Sequence, residues 1–587
     1  MNGGTQGSWG EPTESTFHSS PSANLVGAGK AISTPYRAGL SRSFLSTRCG
    51  LGLERSWPMK YDHLILSSSV MSPHSPTPLG DAILVDNGKI VAIGPASDFY
   101  TTNIHKQTDL RGYHLYPGFV ESHAHLWLMG HLQGQIDCGP PQNRKVQDIL
   151  EQISRRAKDT PSGTWILGHH WDDTLLAEKR PPTLEELTRA APHHPVYLLH
   201  NSAHLAVANQ MALDFAGITV HSRIPGIMKD GSGKLRGELR EWDALEAVSR
   251  HIPQPSADDM AKDIAIAVNL CLKQGVTSAT DAALGLGDPK SIQTVWHAYQ
   301  TRAESLKPFV RTQCYVRVTN PDTLIPDNPP TPFLSVAGVK LFADGSIQGH
   351  TAFLSQPYHD RPETQGIAVM DLNELVQTIK FYENQGRQLA IHANGDAAID
   401  RVLKAYDTCF EGRYSPRRHR IEHAQMASKE QLAHMRQLGV LPNFFINHVY
   451  YWGDRHRDLF LGTDRSRSLN PLATARQLGL VFGLHSDAPI TPVNPLQSLT
   501  TAVTRLTNSQ QHLGSEQAIS VQEAWQGYTT NAAYLGFREN QVGDLAVGLY
   551  ADCVALSHNP LVQGVEALED TKVVKTFIAG EEAFDAS

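Results

Sequence analysis

Two histidines separated by one residue, His123 and His125, have the spacing of half a metal site. Imidazole is the commonest metal ligand among protein side chains. On an extended strand, side chains at positions i and i+2 point to the same face, so both rings can reach one ion, whereas a helix would send them to different sides. With 28 histidines in 587 residues, a chance pair is also an ordinary event. The pair therefore indicates a metal site only if further ligands are found elsewhere in the chain.

Four more residues of metal-ligand or catalytic type accompany apolar runs typical of buried strands. They are Lys340 within 336–342, His392 after 388–391, His423 within 420–425 and Asp487 after 479–484. In a barrel of parallel strands, the carboxyl ends of the strands meet at one mouth, where the chemistry of such folds gathers. We therefore expect the six residues to lie together.

The elements that must position these residues alternate along the middle of the chain. Apolar strand candidates recur there and are separated by helix-length amphipathic segments, which is typical of parallel strands joined by crossover helices. The candidates include 196–199, 275–280, 336–342, 388–391 and 479–484. The pattern predicts an α/β fold.

The two flanks of this region contain short apolar runs typical of β-strands. The pair Asn87-Gly88 lies between two of them and predicts a hairpin turn. We expect residues 57–116 and 537–587 to pair into one small β-sandwich. The runs are 63–66, 82–85, 90–93, 552–556 and 572–578.

The first 56 residues are rich in Ser, Gly, Thr and Pro and have almost no hydrophobic periodicity, so we expect them to be disordered. Residues 30–55 faintly resemble an organelle transit peptide, but they lack an amphipathic start.

Composition excludes several classes of function. A net charge of -8 gives no sign of a nucleic-acid partner. Six cysteines without short paired spacings argue against a disulfide framework and against a thiolate zinc site, and they fit a reducing, cytoplasmic location. No apolar run approaches the roughly 18 residues that a membrane-spanning helix requires. We expect a small-molecule substrate and no membrane partner, and we leave a homodimer open.

In combination, these residues resemble the amidohydrolase superfamily, specifically its YtcJ-like branch, amidohydrolase family 3, over roughly residues 61–580. Residues 448–495 are most similar to N-substituted formamide deformylases. Besides the six residues above, the motifs that carry the resemblance are Gly338-Val339-Lys340-Leu341-Phe342-Ala343-Asp344-Gly345-Ser346, His448-Val449-Tyr450-Tyr451-Trp452-Gly453-Asp454, and Gly543-Asp544-Leu545 followed by Gly548 and Ala551-Asp552.

The resemblance implies a distorted (β/α)8 TIM barrel over residues 117–536 that holds one or two divalent metal ions, usually zinc. The segment of about 139–330 is a long excursion between the first ligand pair and Lys340, and we expect part of it to form a lid.

The resemblance also implies a role for each of the six residues. His123 and His125 would bind the more buried ion, and His392 and His423 the more exposed one. Lys340 would bridge both ions as an N-carboxylated lysine, and Asp487 would ligate the first ion and transfer the proton of the reaction.

The chemistry of these side chains agrees with such roles. Neutral imidazole nitrogen and carboxylate oxygen suit zinc. A plain lysine, with a pKa near about 10.4, has no lone pair to donate, whereas its carbamate has two ligating oxygens. The alternative for Lys340 is an ordinary salt-bridged lysine. Metal-activated hydroxide would attack a carbonyl, and Asp487 would pass the proton to the leaving nitrogen. The predicted activity is hydrolysis of a C–N bond in an amide, formamide or cyclic amide.

Further residues in motif-like segments are candidates for contact with the substrate. Core packing is the alternative for the tryptophans, and a helix cap or a surface acid for Asp172 and Glu241. Arg420 has the geometry to orient a carboxylate, or it pairs near Glu422 on the barrel rim. The candidates are Trp171, Asp172, His204, Glu241, Arg420, His448 and Trp452.

Two motifs depart from the branch, and three other functions stay open. The usual Gly-Trp-Asp is Gly168-His169-His170-Trp171-Asp172 here, and the usual Asp-Gly-His is Ser202-Ala203-His204, so the pocket lining is altered. The same scaffold supports heterocycle deaminases and lactone or ester hydrolases. A non-catalytic regulatory relative would normally have lost a ligand, and none of the six is lost.

Overall fold

The computed structural model describes residues 60–286, 291–305, 309–319, 323–327 and 330–586. The segment 1–56, which we expect to be disordered, lies outside these residues. The strands in chain order are β1 (Tyr61–Ser72), β2 (Ser75–Asp86), β3 (Lys89–Gly94), β4 (Ile104–Pro117), β5 (Phe119–Ala124), β6 (Ile136–Asp137), β7 (Ile166–Trp171), β8 (Val196–His200), β9 (Leu205–Ala208), β10 (Ile227–Lys229), β11 (Leu235–Arg240), β12 (Val276–Leu284), β13 (Arg311–Arg317), β14 (Leu334–Phe342), β15 (Gln388–Ala393), β16 (Arg420–His423), β17 (Leu441–Phe444), β18 (Gly483–Leu484), β19 (Cys553–Leu556), β20 (Val573–Ile578) and β21 (Glu581–Asp585).

The helices connect these strands and cover the sheets. Within the described residues, no helix combines the length and the apolar character needed to cross a membrane. In chain order they are α1 (Leu126–His131), α2 (Val146–Lys158), α3 (Leu184–Ala190), α4 (Gln210–Phe215), α5 (Glu241–Ser249), α6 (Ala257–Lys273), α7 (Ile292–Ser305), α8 (Leu372–Asn384), α9 (Asp396–Phe410), α10 (Lys429–Leu438), α11 (Asn447–Arg455), α12 (Thr463–Arg467), α13 (Leu472–Gln477), α14 (Pro495–Thr504), α15 (Val521–Gly527), α16 (Thr530–Leu535), α17 (Pro560–Gln563) and α18 (Val565–Asp570).

Eight parallel strands form the barrel sheet, in the order β18-β17-β16-β15-β14-β13-β12-β5. Backbone hydrogen bonds beyond the last strand join its two ends: the N–H of Asp487 donates to the carbonyl of His123 (3.2 Å), and the N–H of His125 to that of Ala488 (2.7 Å). The predicted fold class, an α/β chain with a distorted (β/α)8 barrel, is confirmed.

Alternation along the barrel strands separates core residues from site residues. On β14, Val339 and Leu341 are buried in the large apolar cluster that includes residues of the surrounding helices, and on β15, Leu389 and Ile391 belong to the same cluster. Side chains of neighbouring strand residues point to opposite faces, so Lys340 and His392 face away from this cluster. The periodicity of each strand thus delivers one polar group to the inside of the barrel.

The two flanks of the chain meet in one seven-stranded sheet, ordered β21-β20-β19-β4-β1-β2-β3. Strand β19, from the C-terminal flank, pairs antiparallel with β4, from the N-terminal flank. The predicted hairpin is present between β2 and β3, and its turn residues Asn87 (φ 50°) and Gly88 (φ 73°) have the left-handed backbone that such a turn requires.

A third sheet, ordered β10-β11-β9-β8-β7-β6, lies in sequence between the first and second barrel strands. The strand candidate 196–199 falls in this sheet as β8 and not in the barrel, because β8 pairs parallel with β7 and antiparallel with β9. We call this six-stranded element the insertion sheet. Four of the seven residues predicted to contact the substrate lie in this sheet or next to one of its strands in sequence.

Candidate metal centre

The two histidines of the opening pair converge on one carboxylate oxygen. His123 lies on β5, and His125 follows the strand directly as the residue before α1. The Nε2 atoms of His123 and of His125 are each 3.3 Å from Oδ1 of Asp487, and all three side chains are buried. Both rings therefore point to one place at the carboxyl end of the strand.

The spacing of these atoms is the spacing of ligands around one ion. Ligands at zinc-like bond lengths of about 2.0–2.1 Å in a tetrahedron lie about 3.3–3.4 Å from each other. The Nζ of Lys340 is 3.4 Å from Nε2 of His123. His123, His423 and Asp487 also each offer a ligand atom within 4.8 Å of the others. The residues present thus fit a divalent metal ion.

A buried carboxylate fixes the ring of His123. Its Nδ1–H donates to Oε2 of Glu422 at 2.5 Å, so Nε2 keeps its lone pair for an ion. Glu422 also accepts from Nε of Arg420 (2.7 Å) and from Nδ2 of Asn443 (2.8 Å). Burial alone would raise the pKa of Glu422, but Arg420 and His123 hold it well below its usual range. Metal-binding histidines are commonly oriented by such carboxylates.

Lys340 is buried, and only the more distant carboxylates of Glu422 and Asp487 favour its charged form. Among the described residues, no carboxylate lies within ion-pair distance of its Nζ, so the alternative of an ordinary salt-bridged lysine has no partner there. Burial lowers its pKa to about 8, because desolvation disfavours the ammonium form. A lowered pKa increases the share of neutral amine, which is the form that reacts with carbon dioxide.

His392 and His423 lie side by side at the ends of β15 and β16, with ring centroids 4.5 Å apart. Nε2 of His392 is 3.1 Å from the carbonyl of Gly345 and also 3.1 Å from Nδ2 of Asn394. Burial holds the pKa of both histidines well below the usual range, so both rings are neutral. His392 lies at the edge of the tight cluster of donor atoms and not within it.

Backbone strain is concentrated at this mouth. Asp487 (φ 53°) and His423 (φ 68°) both have left-handed backbones, which cost energy in residues with a side chain. Burial would raise the pKa of Asp487, yet contact with His123 holds it well below its usual range. Asp487 is therefore ionised and able to accept a proton.

Two of the predicted substrate residues form a pair beside this cluster. Nδ1 of His204 is 3.1 Å from Oε2 of Glu241, and the rings of His204 and His392 are 5.4 Å apart. Burial would lower the pKa of His204, but the carboxylate of Glu241 raises it above the ordinary value. Glu241 itself has a left-handed backbone (φ 61°), so its placement is enforced by its surroundings.

His448 and Trp452 lie on α11 at the other side of His423. The ring of His448 is 6.3 Å from that of His423 and 5.6 Å from that of Trp452. Burial lowers the pKa of His448 to about 3. Nδ1 of His448 and Nε1 of Trp452 have no hydrogen-bond partner among the described residues. Both side chains therefore offer a polar atom near the site.

Trp171, Asp172 and Arg420 have other contacts. Nε1 of Trp171 donates to the carbonyl of Leu198 within the insertion sheet. Nη1 of Arg455, on α11, donates to Asp172 (2.5 Å). Arg420 is fully buried against Glu422 and also donates to the carbonyl of Ser122. Each of the three residues therefore has a polar partner within the protein.

Asp172, Asp173 and His200 form a second group with metal-ligand atoms close together. The backbone N–H of Ser202 donates to Nδ1 of His200 at 3.0 Å, so the proton of the neutral ring is on Nε2. That atom, which is 3.8 Å from Asp173, is then a donor and not a ligand. We assign no metal to this group.

Four residues that support the candidate site were not identified from the sequence. Glu422 and Asn443 orient His123, while His485 stacks on the ring of His123 at 4.7 Å. Glu121 accepts a hydrogen bond from Oγ of Ser486 (2.7 Å) and so anchors the loop of Asp487. The sequence contained a signal for Glu121, because it lies two residues before His123 on the same strand and therefore on the same face.

Comparison with known proteins agrees with this geometry. The family model described as the amidohydrolase family matches residues 106–584. The chain belongs to this family. The relative YtcJ of Bacillus subtilis, named an amidohydrolase, is 28% identical over 86% of this chain and 96% of its own length. A relative from Arthrobacter pascens named N-substituted formamide deformylase is 27% identical, over 88% of this chain and 97% of its own length.

The barrel fold also matches a solved structure. A metal-dependent hydrolase from Pyrococcus horikoshii is similar with a TM-score of 0.68 and 24% identity, over 89% of this chain and 100% of that one. This likeness supports the fold. Membership of the amidohydrolase family supports a hydrolytic enzyme with a small-molecule substrate, and the predicted resemblance is confirmed.

Proposed function

We propose that the protein is a metal-dependent hydrolase that cleaves a C–N bond in a small amide, formamide or cyclic amide. The observation that carries the proposal is the convergence of His123 Nε2, His125 Nε2 and Asp487 Oδ1 at ligand spacing, with Nζ of the buried Lys340 3.4 Å from Nε2 of His123. The relative named as a deformylase of N-substituted formamides supports the choice of a C–N bond.

The donor set indicates which ion is held and by which residues. Imidazole nitrogens and carboxylate oxygens suit zinc. His123, His125 and Asp487 would hold the first ion, and His392 and His423 a second, with Lys340 as a carbamate between them. A bound ion would polarise the substrate carbonyl and activate a water molecule.

The side chains of the chain itself would perform the remaining steps. Asp487, ionised in the resting protein, accepts the proton of the attacking water at a carboxylate oxygen and returns it to the leaving nitrogen. Glu422 keeps Nε2 of His123 unprotonated by accepting from Nδ1. Protonation of the leaving nitrogen is required, because an amine anion is a poor leaving group.

We further infer that part of the insertion over residues 139–330 is a lid on the barrel residues 117–536. The ion pair of Asp172 with Arg455 supports this, because it joins the insertion sheet to α11, which also carries His448. The described cysteines are all unpaired, which supports a reducing, cytoplasmic location.

A metal measurement followed by a substrate screen tests the function. Elemental analysis after purification without chelators should find one to two equivalents of a zinc-like metal, as a site of this family type requires; less than roughly a tenth of an equivalent contradicts the proposal. The metal-loaded enzyme is then tested on formamides, N-acyl amines, ureas, cyclic imides and lactones.

The products of the screen separate the candidate reactions. Release of amine identifies C–N hydrolysis, release of formate identifies deformylation, and ring opening of lactones alone would replace the proposal by an esterase. Asp487→Asn should abolish turnover. The matched control is Asp458→Asn, since Asp458 is an exposed acid whose ion pair with Arg457 lies on the surface.

A further inference from the structure

An apolar pocket lies at the mouth of the barrel, next to the cluster of metal-ligand residues. Trp127, two residues after His125, and Leu286, two residues after the end of β12, form its barrel side. The insertion sheet contributes Leu199 from β8, and α5 contributes Trp242. The pocket therefore lies where the carboxyl ends of two barrel strands meet the insertion, which is where barrel enzymes bind substrates.

The described lining of this pocket is mostly apolar, and the lining residue His131 has its Nδ1 3.0 Å from Oδ2 of Asp263. None of its described lining residues is Asp, Glu, Lys or Arg. An ionised group that entered it would lose its hydration, and the described lining offers no unpaired charge in return, because His131 is already paired with Asp263. An alkyl or aromatic group would gain about 25 cal/mol for each square ångström of apolar surface removed from water. The chemistry of the lining thus selects uncharged groups.

Ring contacts join the pocket to the site. The ring of Trp242 is 5.9 Å from that of His204 and 5.7 Å from that of Phe342. The rings of His204 and Phe342 are in turn 5.4 Å and 5.3 Å from that of His392. One ring thus lies between Trp242, in the wall of the pocket, and His392, a proposed ligand, so the pocket adjoins the proposed site without sharing a ligand with it.

We propose that this pocket binds an uncharged, apolar substituent of the substrate, so that the enzyme selects amides that carry an alkyl or aryl group. This inference rests on the proposed hydrolysis for its kinetic consequence, whereas occupancy of the pocket is testable without turnover. It narrows the proposed substrates from small amides in general to amides that carry one apolar, uncharged substituent.

The kinetic test uses a homologous series of N-alkylformamides from methyl to hexyl. Each added methylene should raise kcat/KM by a factor of about four, because about 0.8 kcal/mol is gained for each buried methylene. An N-substituent that ends in a carboxylate or an ammonium should lose this gain. A flat series, or a preference for the charged members, overturns the inference.

Variants of Leu199 place the effect in the pocket. Leu199→Glu should abolish the dependence on chain length, and Leu199→Trp should stop the gain at a shorter chain by filling the space. The matched control is Leu175→Glu, an exposed leucine outside the pocket, which should leave the series unchanged. Folding of each variant is checked by its thermal transition, and an unchanged series in a folded Leu199→Trp contradicts the proposal.

A binding test separates this inference from the proposed function. Benzyl alcohol, an uncharged probe that cannot be hydrolysed, should change the tryptophan fluorescence with saturation in both metal-loaded and metal-stripped protein, because no proposed ligand lines the pocket. Benzoate and benzylammonium should not bind there. Binding without any hydrolysis would refute the function and leave the pocket assignment intact. Absence of saturable binding, or equal binding to Leu199→Glu, overturns the pocket assignment.

Discussion

Replacement of Glu422 by glutamine tests whether a residue that contacts no substrate sets the metal site. The carboxylate accepts from Nδ1 of His123 at 2.5 Å, from Arg420 and from Asn443. Glutamine keeps the size of the side chain but removes the charge, and only one of its two terminal atoms accepts, so Arg420 and His123 compete for that oxygen. The ring of His123 is then free to adopt the other tautomer, which puts a proton on Nε2.

The structure gives two magnitudes for this change. Loss of a carboxylate that orients a metal-binding histidine costs about 10–100-fold in metal affinity. Arg420 is fully buried, so without Glu422 its charge has no counterpart, and breaking such a buried pair costs about 3–5 kcal/mol of unfolding free energy. The double variant Arg420→Met with Glu422→Gln removes both charges and should recover most of the stability but none of the affinity.

The assay measures metal retention against a graded chelator, with unfolding by urea in parallel. The matched control is Glu383→Gln, since Glu383 forms a comparable pair with His419 (2.8 Å) that lies away from the ligands. That control should lower stability and leave metal affinity as in the wild type. Wild-type metal affinity in Glu422→Gln, or recovery of affinity in the double variant, would refute the reasoning.

Three further perturbations have defined outcomes. Lys340→Ala should lose activity and regain part of it with added short-chain carboxylic acids; full activity in the plain variant removes Lys340 from the site. Gly345→Ala places a Cβ 2.6 Å from Oε1 of Glu241, so it should lower kcat, whereas Gly231→Ala, with open space around it, should not. Burial would raise the pKa of Asp172, but Arg455 lowers it to about 2 from 3.8. The contacts of the Asp172 carboxylate with Arg455, His200 and Thr174 therefore stabilise the fold above pH 3.8 by about 2 kcal/mol, and this contribution is lost as the pH falls through 2. The difference in urea unfolding free energy between wild type and Asp172→Asn should shrink over that range, and a constant difference argues against the ion pair.

The residues of the proposed site could be selected from the sequence because each accompanies an apolar strand. On β14 and β15, apolar and site residues alternate, so Lys340 and His392 could be assigned to one face before any coordinates. The hairpin of the flanking sheet was equally accessible, since Asn87-Gly88 supplies two left-handed residues. Local periodicity and turn chemistry are sufficient for these elements.

Two barrel strands could not be predicted from the sequence, because their polar residues are neutralised by partners that are distant in the sequence. Strand β13 begins with Arg311, which is buried and paired with Asp552 at 2.5 Å, 241 residues away. Strand β17 contains Pro442 and Asn443, both unfavourable in a strand. Asn443 is buried there because Glu422, on the neighbouring strand, accepts its amide hydrogen. The pattern of neighbouring residues in a strand cannot reveal pairings of this kind.

The closure of the barrel explains why its last strand is so short. Strand β18 ends at Leu484, and the chain then turns so that Asp487 meets His123 and His125 across the seam between the first and last strands. The left-handed backbone of Asp487 costs on the order of 1–3 kcal/mol. Glu121 offsets this cost, because its carboxylate accepts from the backbone N–H and the hydroxyl of Ser486. The first strand therefore supplies both the ligand His123 and the anchor that holds the last ligand in position, so the His-X-His pair acts together with the glutamate two residues before it.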